Sequence, residues 1–400
     1  MNDFDEQLRK LIHMERHNFA GSSSRAIVEL VNLIFDFAIK IRASDVHLEP
    51  YENALRVRYR VDGQLQELHQ SLPLNLADAL TARIKILARM DTTAAFLPLD
   101  GAIRFGNVEM RVASMPSFGA ESVTIRLLDS TLALQNLGNL GFTSANEKIF
   151  RRMIDTSAGM IILTGPMNSG KSTTLYATLR ELNQPTRSIM TLEDPIEQHV
   201  EGISQVQVNE KTGLTFAAGL RAMLRMDCNV LMVGEARDAE TAKIAVRAAL
   251  TGHLIFTTLH ANDSCSAVFR MLEMGVEPYL LAATLNGVVA QRLVRRLCPR
   301  CKKLCAADDL ERQLTGATQL YKAVGCSECR GTGYSGRLAL HEILRVDKNL
   351  RQLIRTSRDL DEIRTSALES GLKVLADDAL EKIRAGLTTL AEVRRVADIK

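Results

Sequence analysis

The chain has 400 residues, more than one compact core usually organises, which sets an expectation of two or three domains and excludes a single small binding module. Its 50 Lys and Arg nearly balance 47 Asp and Glu, giving a formal charge of +3, so overall charge gives no ground for a nucleic-acid or membrane-surface protein. With 46% hydrophobic and 24% charged residues the composition is globular, and no apolar run reaches the roughly 20 residues that span a bilayer.

Residues 1–23 form a charged segment without the apolar stretch and cleavage site of a secretory signal, which places the chain in the cytoplasm. There its seven cysteines stay reduced, and paired CxxC units point to metal rather than disulfides. Gly21-Ser22-Ser23-Ser24 interrupts the helical spacing and predicts a flexible joint that also caps a new helix. From Arg25 to Ile41 the apolar positions Ile27, Leu30, Val31, Ile34, Phe35 and Ala38 recur at helical spacing, so this helix buries one face. Leu55 to Gly63 alternates instead: Val57, Tyr59 and Val61 share one face and Arg56, Arg58 and Arg60 the other, ending in an Asp-Gly turn. Strands near Val108 to Val112 and Val123 to Leu127, around a helix at Asn75 to Met90, complete an α+β domain over residues 24–128.

After a linker at residues 129–141 the pattern changes. Ala158 to Thr164, Ser188 to Leu192, Val230 to Val233 and Leu254 to Thr258 are short apolar runs separated by helical segments. Buried parallel strands read this way, so residues 142–297 form an α/β core. Directly after the first of these strands stands Gly165-Pro166-Met167-Asn168-Ser169-Gly170-Lys171-Ser172-Thr173, followed by a helix at Thr174 to Leu182. This fits G-x-x-x-x-G-K-[ST] between a strand and a helix. The glycines let backbone N–H groups and the helix N-terminus face phosphates, Lys171 can reach the β- and γ-phosphates of ATP, and the Ser172 hydroxyl can ligate Mg²⁺. The plainer alternative is a turn carrying an exposed lysine.

Three further strands end in polar clusters, as expected where ligands meet the carboxyl ends of an open α/β sheet. They are Thr191 to Glu197 with Glu193 and Glu197, Gly234 to Asp238 with Glu235, and Thr251 to Asp263 with His253 and His260 at the two ends of one apolar strand. Each could be a solvated strand end, but together with a phosphate loop they favour function. Cys298-Pro299-Arg300-Cys301 and Cys326-Ser327-Glu328-Cys329 present four thiolates from two tight knuckles, the pattern of a closed structural Zn²⁺ site that pins residues 298–337 rather than catalysing. A C-terminal helical region is expected over residues 338–400.

In these motifs the chain resembles the secretion and pilus assembly ATPases of type II secretion and type IV pilus systems, over roughly residues 24–396. The phosphate loop, the acidic box at Thr191 to Glu197, the Walker B segment Leu231 to Asp238 and the histidine box at Thr251 to Asp263 follow in the family's order. Ala43 to Pro50, Arg56 to Gly63, Gly333 to Arg337 and Gly386 to Leu390 match segments on either side. The resemblance implies a RecA-like P-loop core behind a smaller PAS-like α+β domain. It also implies that Glu235 polarises the attacking water or holds Mg²⁺ through water, with Gly234 where other ATPases place aspartate. Glu193 and Glu197 would support metal and water, and His253 and His260 would sense the γ-phosphate. It implies a homo-hexameric ring, with Arg56, Arg58 or Arg60 as candidates to approach a neighbour's nucleotide; a solvated strand face is the plainer alternative for any single one of them. The implied activity is ATP hydrolysis that powers pilus or pseudopilus assembly through an inner-membrane platform protein, with membrane contact only through partners and no direct nucleic-acid binding.

Tetracysteine loops usually mark the family's assembly ATPases, and pilus retraction ATPases usually lack them. Met167-Asn168 replaces the family's usual Thr-Gly, Asn being the residue best able to stand in for glycine in a left-handed conformation. Ala94, Ala95 and Phe96 replace a family Glu-x-Arg, so one basic group is missing and Arg83, Lys85 or Arg104 would have to compensate. The family's longer N-terminal domain has no counterpart, which leaves the charged segment before Gly21 for membrane-partner contact. A non-hydrolysing regulatory subunit and a retraction ATPase remain the alternatives; a nucleic-acid motor of related fold is disfavoured by the balanced charge.

Overall fold

The structure, a computed structural model, describes residues 6–12, 23–67, 70–94, 96–128, 136–356 and 359–397. Residues 1–5 and 13–22 of the charged segment, including Gly21 and Ser22 of the expected joint, Ala95, and residues 129–135 of the linker lie outside them. The chain divides into two compact units, Met1–Thr131 and Leu132–Lys400.

In the first unit the helix Ser23–Lys40 lays Ile27, Leu30, Val31, Ile34, Phe35 and Ala38 on a sheet, each of them buried. At about 1.5–3 kcal/mol for each large apolar side chain removed from water, this stripe is what holds the helix to the sheet. The strands are β1 (Asp45–Tyr51), β2 (Ala54–Val61), β3 (Gln64–Gln66), β4 (Leu72–Pro73), β5 (Leu99–Phe105), β6 (Val108–Pro116) and β7 (Glu121–Leu128). They pair antiparallel in the order β3-β2-β1-β7-β6-β5, with β4 also on β2. Strand β2 alternates as its sequence requires, with Val57, Tyr59 and Val61 in the core and the three arginines on the open face. Asp62 (φ 49°) and Gly63 (φ 85°) both take left-handed conformations, the requirement of a two-residue turn whose twist matches the strands it joins. The expected helix at Asn75 to Met90 is a 3₁₀ turn, Leu74–Leu76, followed by an α-helix, Ala77–Leu87.

The second unit is built on a seven-stranded sheet in the order β10-β9-β11-β12-β8-β13-β16. Its members are β8 (Gly159–Thr164), β9 (Ile189–Glu193), β10 (Ser204–Gln207), β11 (Val230–Val233), β12 (Leu254–Leu259), β13 (Leu285–Leu297) and β16 (Tyr334–Arg345). All pair in parallel except β16, which runs antiparallel to β13. Every residue of β8, β9, β11 and β12 is buried because helices cover both faces. Thus Met160 and Ile162 of β8 join one apolar cluster, and Ile161 and Leu163 join the cluster on the other face.

The sheet crosses the boundary expected at residue 297. Strand β13 runs 13 residues, out of the core and up to Cys298, and β16 returns beside it, so residues 338–345 are core strand rather than C-terminal helix. Between them lie a small antiparallel pair, β14 (Lys303–Ala306) and β15 (Gln319–Lys322), and a helix, Asp309–Thr315. Among the described residues four helices follow β16; the last two, Leu375–Arg384 and Leu390–Arg394, pack on the projecting part of the β13–β16 ribbon.

That ribbon is tied down by one buried carboxylate. Glu392 accepts from the Arg295 main-chain N–H (3.1 Å), from the Arg295 guanidinium (3.0 and 2.8 Å) and from Arg395 (3.1 and 2.6 Å), with its side chain only 1% exposed. Burial alone would raise its carboxyl pKa, but the hydrogen bonds from Arg295 and Arg395 outweigh it and hold the group below the usual glutamate range. Glu392→Ala leaves Arg295 without its counter-charge, and urea unfolding is expected to show a loss of about 3 kcal/mol. Because the folded-state pKa is depressed, this stabilisation is present above the unfolded-state pKa and fades as pH falls through the folded one; the variant and the parent should therefore converge in acid.

Candidate active site and metal centre

The phosphate-loop sequence leaves the carboxyl end of β8 and enters the helix Lys171–Leu182. Gly165 (φ 148°), Asn168 (φ 61°) and Gly170 (φ 87°) all have positive φ, so Asn168 occupies a left-handed position as its residue type allows. The two glycines also admit a neighbour. A Cβ on Gly165 would stand 2.4 Å from the Gln291 carbonyl, and one on Gly170 would stand 2.7 Å from Gln291 Nε2. Gln291, 2% exposed, donates from Nε2 to the Ser169 carbonyl (2.7 Å) and accepts from the Thr174 hydroxyl (2.8 Å), clamping the loop from β13. No local sequence pattern marks Gln291; only the docking of β13 beside the loop gives it this role.

Lys171 Nζ donates to the carbonyls of Gly165 (2.8 Å) and Pro166 (3.0 Å) and makes no ion pair among the described residues. Burial pushes its pKa down to about 8, Glu235 opposing and Arg292 reinforcing the shift. Ser169 Oγ is buried without a hydrogen-bond partner, which leaves a polar atom of the loop unsatisfied. Ser172 is half-buried on the first turn of the helix.

The neighbouring strand ends converge on this edge. Glu235, just past β11, pairs with His260 Nε2 (3.1 Å) and with Arg237 Nε (2.6 Å); Arg237 also reaches Asp194 (3.3 Å). The Thr258 hydroxyl donates to the Gly234 carbonyl (2.7 Å), and Ala261 N–H donates to the Thr164 hydroxyl (2.9 Å), so the β8, β11 and β12 ends are locked together.

Glu193 is placed differently from Glu235. It is 4% exposed and accepts from the Tyr176 hydroxyl, Thr191 Oγ1 (2.5 Å) and Gln205 Nε2 (3.1 Å), while the Tyr176 oxygen accepts from Glu197 N–H (3.2 Å). Burial and then the Glu193 charge push the Tyr176 phenol pKa up, which keeps it a donor. Glu193 therefore braces the turn that carries the exposed Glu197.

His253 does not join the cluster. It precedes β12, its carbonyl accepts from Gly159 N–H at the start of β8 (3.1 Å), and its Nδ1 donates to the Ala248 carbonyl (3.1 Å). The six residues of β8 separate it from the phosphate loop by roughly 20 Å, so of the two histidines expected to sense the γ-phosphate only His260 stands at this edge.

The three arginines lie in the first unit, on the open face of its sheet. Arg58 makes a two-pronged bond to Glu49 (2.8 and 2.8 Å), Arg60 faces Asp45 (3.4 Å), and Arg56 faces Glu67 (3.7 Å) and covers the Tyr51 ring. Of the suggested replacements for the missing basic group, Lys85 is buried against Glu121 (2.6 Å), whereas Arg104 is exposed.

Cys298, Cys301, Cys326 and Cys329 bring their Sγ atoms within 4.8 Å of one another. The closest separations are 4.0, 3.8 and 3.7 Å, against about 3.8 Å for the edge of a tetrahedron around zinc with bonds of about 2.3 Å. Main-chain N–H groups of Gly325, Cys326 and Gly333 point at the sulfurs (3.1–3.3 Å), as thiolates require. The cluster fits a zinc-binding subdomain, held at the tip of the β13–β16 ribbon. Gly325 is obligatory there: a Cβ would lie 2.5 Å from the Gly331 carbonyl. Among the described residues no helix is long and apolar enough to cross a membrane.

The family described as "Type II/IV secretion system protein" matches residues 21–395. The type II secretion system ATPase E of Vibrio cholerae is 46% identical over 383 residues, covering 92% of this chain and 75% of that protein. The type IV pilus assembly ATPase PilB of Myxococcus xanthus is 44% identical over 382 residues, covering 92% and 67%. Among solved structures, the Legionella pneumophila ATPase DotB superposes with a TM-score of 0.68 at 22% identity, covering 92% of this chain and 95% of that one. The pilus retraction motor PilT with bound ADP gives 0.64 at 24%, covering 92% and 97%. At these identities the two structures show the fold alone.

Two outcomes are expected from this geometry. Elemental analysis should find one zinc per chain, lost in Cys326→Ser; a metal-free protein with four freely titratable thiols overturns the assignment. The affinity for a non-hydrolysable ATP analogue should fall roughly tenfold between about pH 7.5 and about pH 9, because the phosphates bind the ammonium form of Lys171 and the free chain loses that proton as pH passes its depressed pKa. Calorimetry across this range checks it, with proton uptake on binding at the alkaline end.

Proposed function

The chain belongs to the Type II/IV secretion system protein family, and we propose that it is an ATP hydrolase that drives assembly of a type IV pilus or type II secretion pseudopilus. The observation that carries the reading is the convergence of Lys171, Glu235 and His260 at the carboxyl edge of one parallel sheet. Lys171 exchanges its two carbonyl partners for the β- and γ-phosphates, and backbone N–H groups of residues 165–173 and the helix N-terminus surround them. Ser172 would hold Mg²⁺, which would supply positive charge against the charge that develops on the transferred phosphate. Glu235 orients the attacking water once Arg237 and His260 release part of their hold on it, and His260 then reports the loss of the γ-phosphate to the loop behind it. Glu193, through Tyr176, positions Glu197 beside this centre.

The names of the two sequence relatives, one a secretion ATPase and one a pilus assembly ATPase, support this role. The tetracysteine loop supports assembly over retraction. Work of this kind fits a homo-hexameric ring under an inner-membrane platform protein, in which Arg56, Arg58 or Arg60 leaves its acidic partner to face a neighbour's nucleotide. A second reading, a nucleotide-binding regulatory subunit, draws on the double engagement of Glu235 and on Met167-Asn168 in the loop.

Steady-state hydrolysis by the purified chain separates the two. Glu235→Gln and Lys171→Ala are each expected to lower turnover by about a hundredfold or more, since each removes a charge aimed at the reacting phosphate. A wild-type rate no higher than that of either variant favours the regulatory subunit.

A further inference from the structure

Arg292 is a cation that the nucleotide motifs leave unused. It follows Gln291 on β13, one strand from the phosphate loop on the side away from Glu235. Its guanidinium folds back across the mouth of that loop: Nη1 lies 3.1 Å from where a Cβ on Gly165 would stand and donates to the Gln291 carbonyl (3.1 Å). Nη2 donates to the carbonyl of Asn262 (2.7 Å), two residues beyond His260. The guanidinium thus spans from the first glycine of the loop to the segment that carries the histidine paired with Glu235.

Its partners are the telling part. A guanidinium offers five donors suited to two-pronged recognition of carboxylate or phosphate, yet this one reaches two main-chain carbonyls and makes no ion pair among the described residues. Lys171, across Gly165, is in the same position, held on carbonyls alone. Burial depresses both cations, the lysine to about 8 and the arginine below its ordinary value. Glu235 and Glu197 act on the lysine, and Glu342 and Asp263 on the arginine, only from beyond ion-pair contact, so an anion that bonds both cations directly would relieve their desolvation. Of the two cations only Arg292 bonds the segment that follows His260, and it is this contact that points to the terminal phosphate as its anion.

We propose that Arg292 is a ligand of the terminal phosphate of ATP bound in its own chain, so that it distinguishes ATP from ADP and reports the difference to the His260 segment through Asn262. This rests on the nucleotide reading above and adds a residue to it. Binding exchanges carbonyl contacts for charge-assisted bonds to phosphate oxygens, and loss of the terminal phosphate returns Arg292 to Asn262.

The test is calorimetric titration of the full chain with Mg²⁺ and, separately, ADP or a non-hydrolysable ATP analogue. In Arg292→Gln the analogue is expected to bind about 10- to 100-fold more weakly, while ADP stays within about threefold of wild type. Arg292→Lys, which keeps the charge but not the fork, should fall between, and it carries the same comparison if the glutamine variant does not fold. Lys171→Ala, by contrast, should weaken both nucleotides. Equal losses for ADP and the analogue, or no loss for either, in a variant with wild-type zinc content and thermal midpoint, overturn the proposal and leave the nucleotide site standing. A wild-type chain that binds neither nucleotide overturns the site itself, and this proposal with it.

Discussion

The hydrogen-bond ladder of β13 is the constraint on which the rest of the second unit depends. Leu285 to Ala290 pair in parallel with β8, which fixes the strand that launches the phosphate loop. From Gly287 onward the strand also pairs with β16, and past Ala290 β16 is its strand partner. Gln291 and Arg292 stand at this changeover, where β8 has ended and its loop begins. One strand therefore delivers a clamp to the loop's backbone and a cation to its mouth, and Cys298, six residues after Arg292, follows directly from its end into the cysteine cluster. A slip of one residue would turn Gln291 away from Ser169 and replace it with a charge that the buried pocket does not neutralise.

This geometry makes the metal centre more than a local staple. The ribbon is long and lacks a β8 partner over its outer half, so its position has to be fixed from its far end. Four cysteines close the loop between β13 and β16, and Glu392 binds the ribbon to the last helix through Arg295. Thr388 Oγ1 on the Arg295 carbonyl (2.9 Å) and Lys302 Nζ on the Gly386 carbonyl (2.8 Å) extend the same seam. Register at Gln291 is thereby held from both sides: by the parallel core on one and by the zinc subdomain with the C-terminal helices on the other.

What was legible in the sequence followed from local rules. Val230–Val233 emerges with the bounds its apolar run implies, the β2 arginines alternate as a strand of period two dictates, and Asn168 takes the left-handed position that only a few residue types tolerate. What escaped depends on contacts between distant segments. Gln291 and Arg292 belong to no motif; their meaning comes from lying beside Gly165, some 126 positions away in sequence, once β13 docks on β8. Tyr176 reads as an ordinary helical aromatic until β9 brings Glu193 to its hydroxyl. His253 could have been placed correctly: a residue before a parallel strand lies at its amino end, and ligands meet the carboxyl ends.

The charges at the carboxyl edge are arranged for exchange rather than rest. On the β13 side Lys171 and Arg292 are cations held by carbonyls; on the β11 side Glu235 is an anion shared by Arg237 and His260. Each side is satisfied by weak or divided partners, so neither is strongly committed to its present contacts. On the proposed reading, a triphosphate would supply anionic oxygens for the two cations, and its metal ion would compete for the carboxylate. Drawing Arg292 away from Asn262 and Glu235 away from His260 acts on the same short segment, residues 260–262, from its two ends. The segment is tied at Ala261 to the Thr164 hydroxyl, and at Asp263 it caps the helix Ser264–Glu273 and pairs with Arg364 of a C-terminal helix (2.7 Å). Occupancy of the phosphate site would then reach the C-terminal helices through the short backbone segment 260–263 and the bonds it makes to Arg292, Thr164 and Arg364.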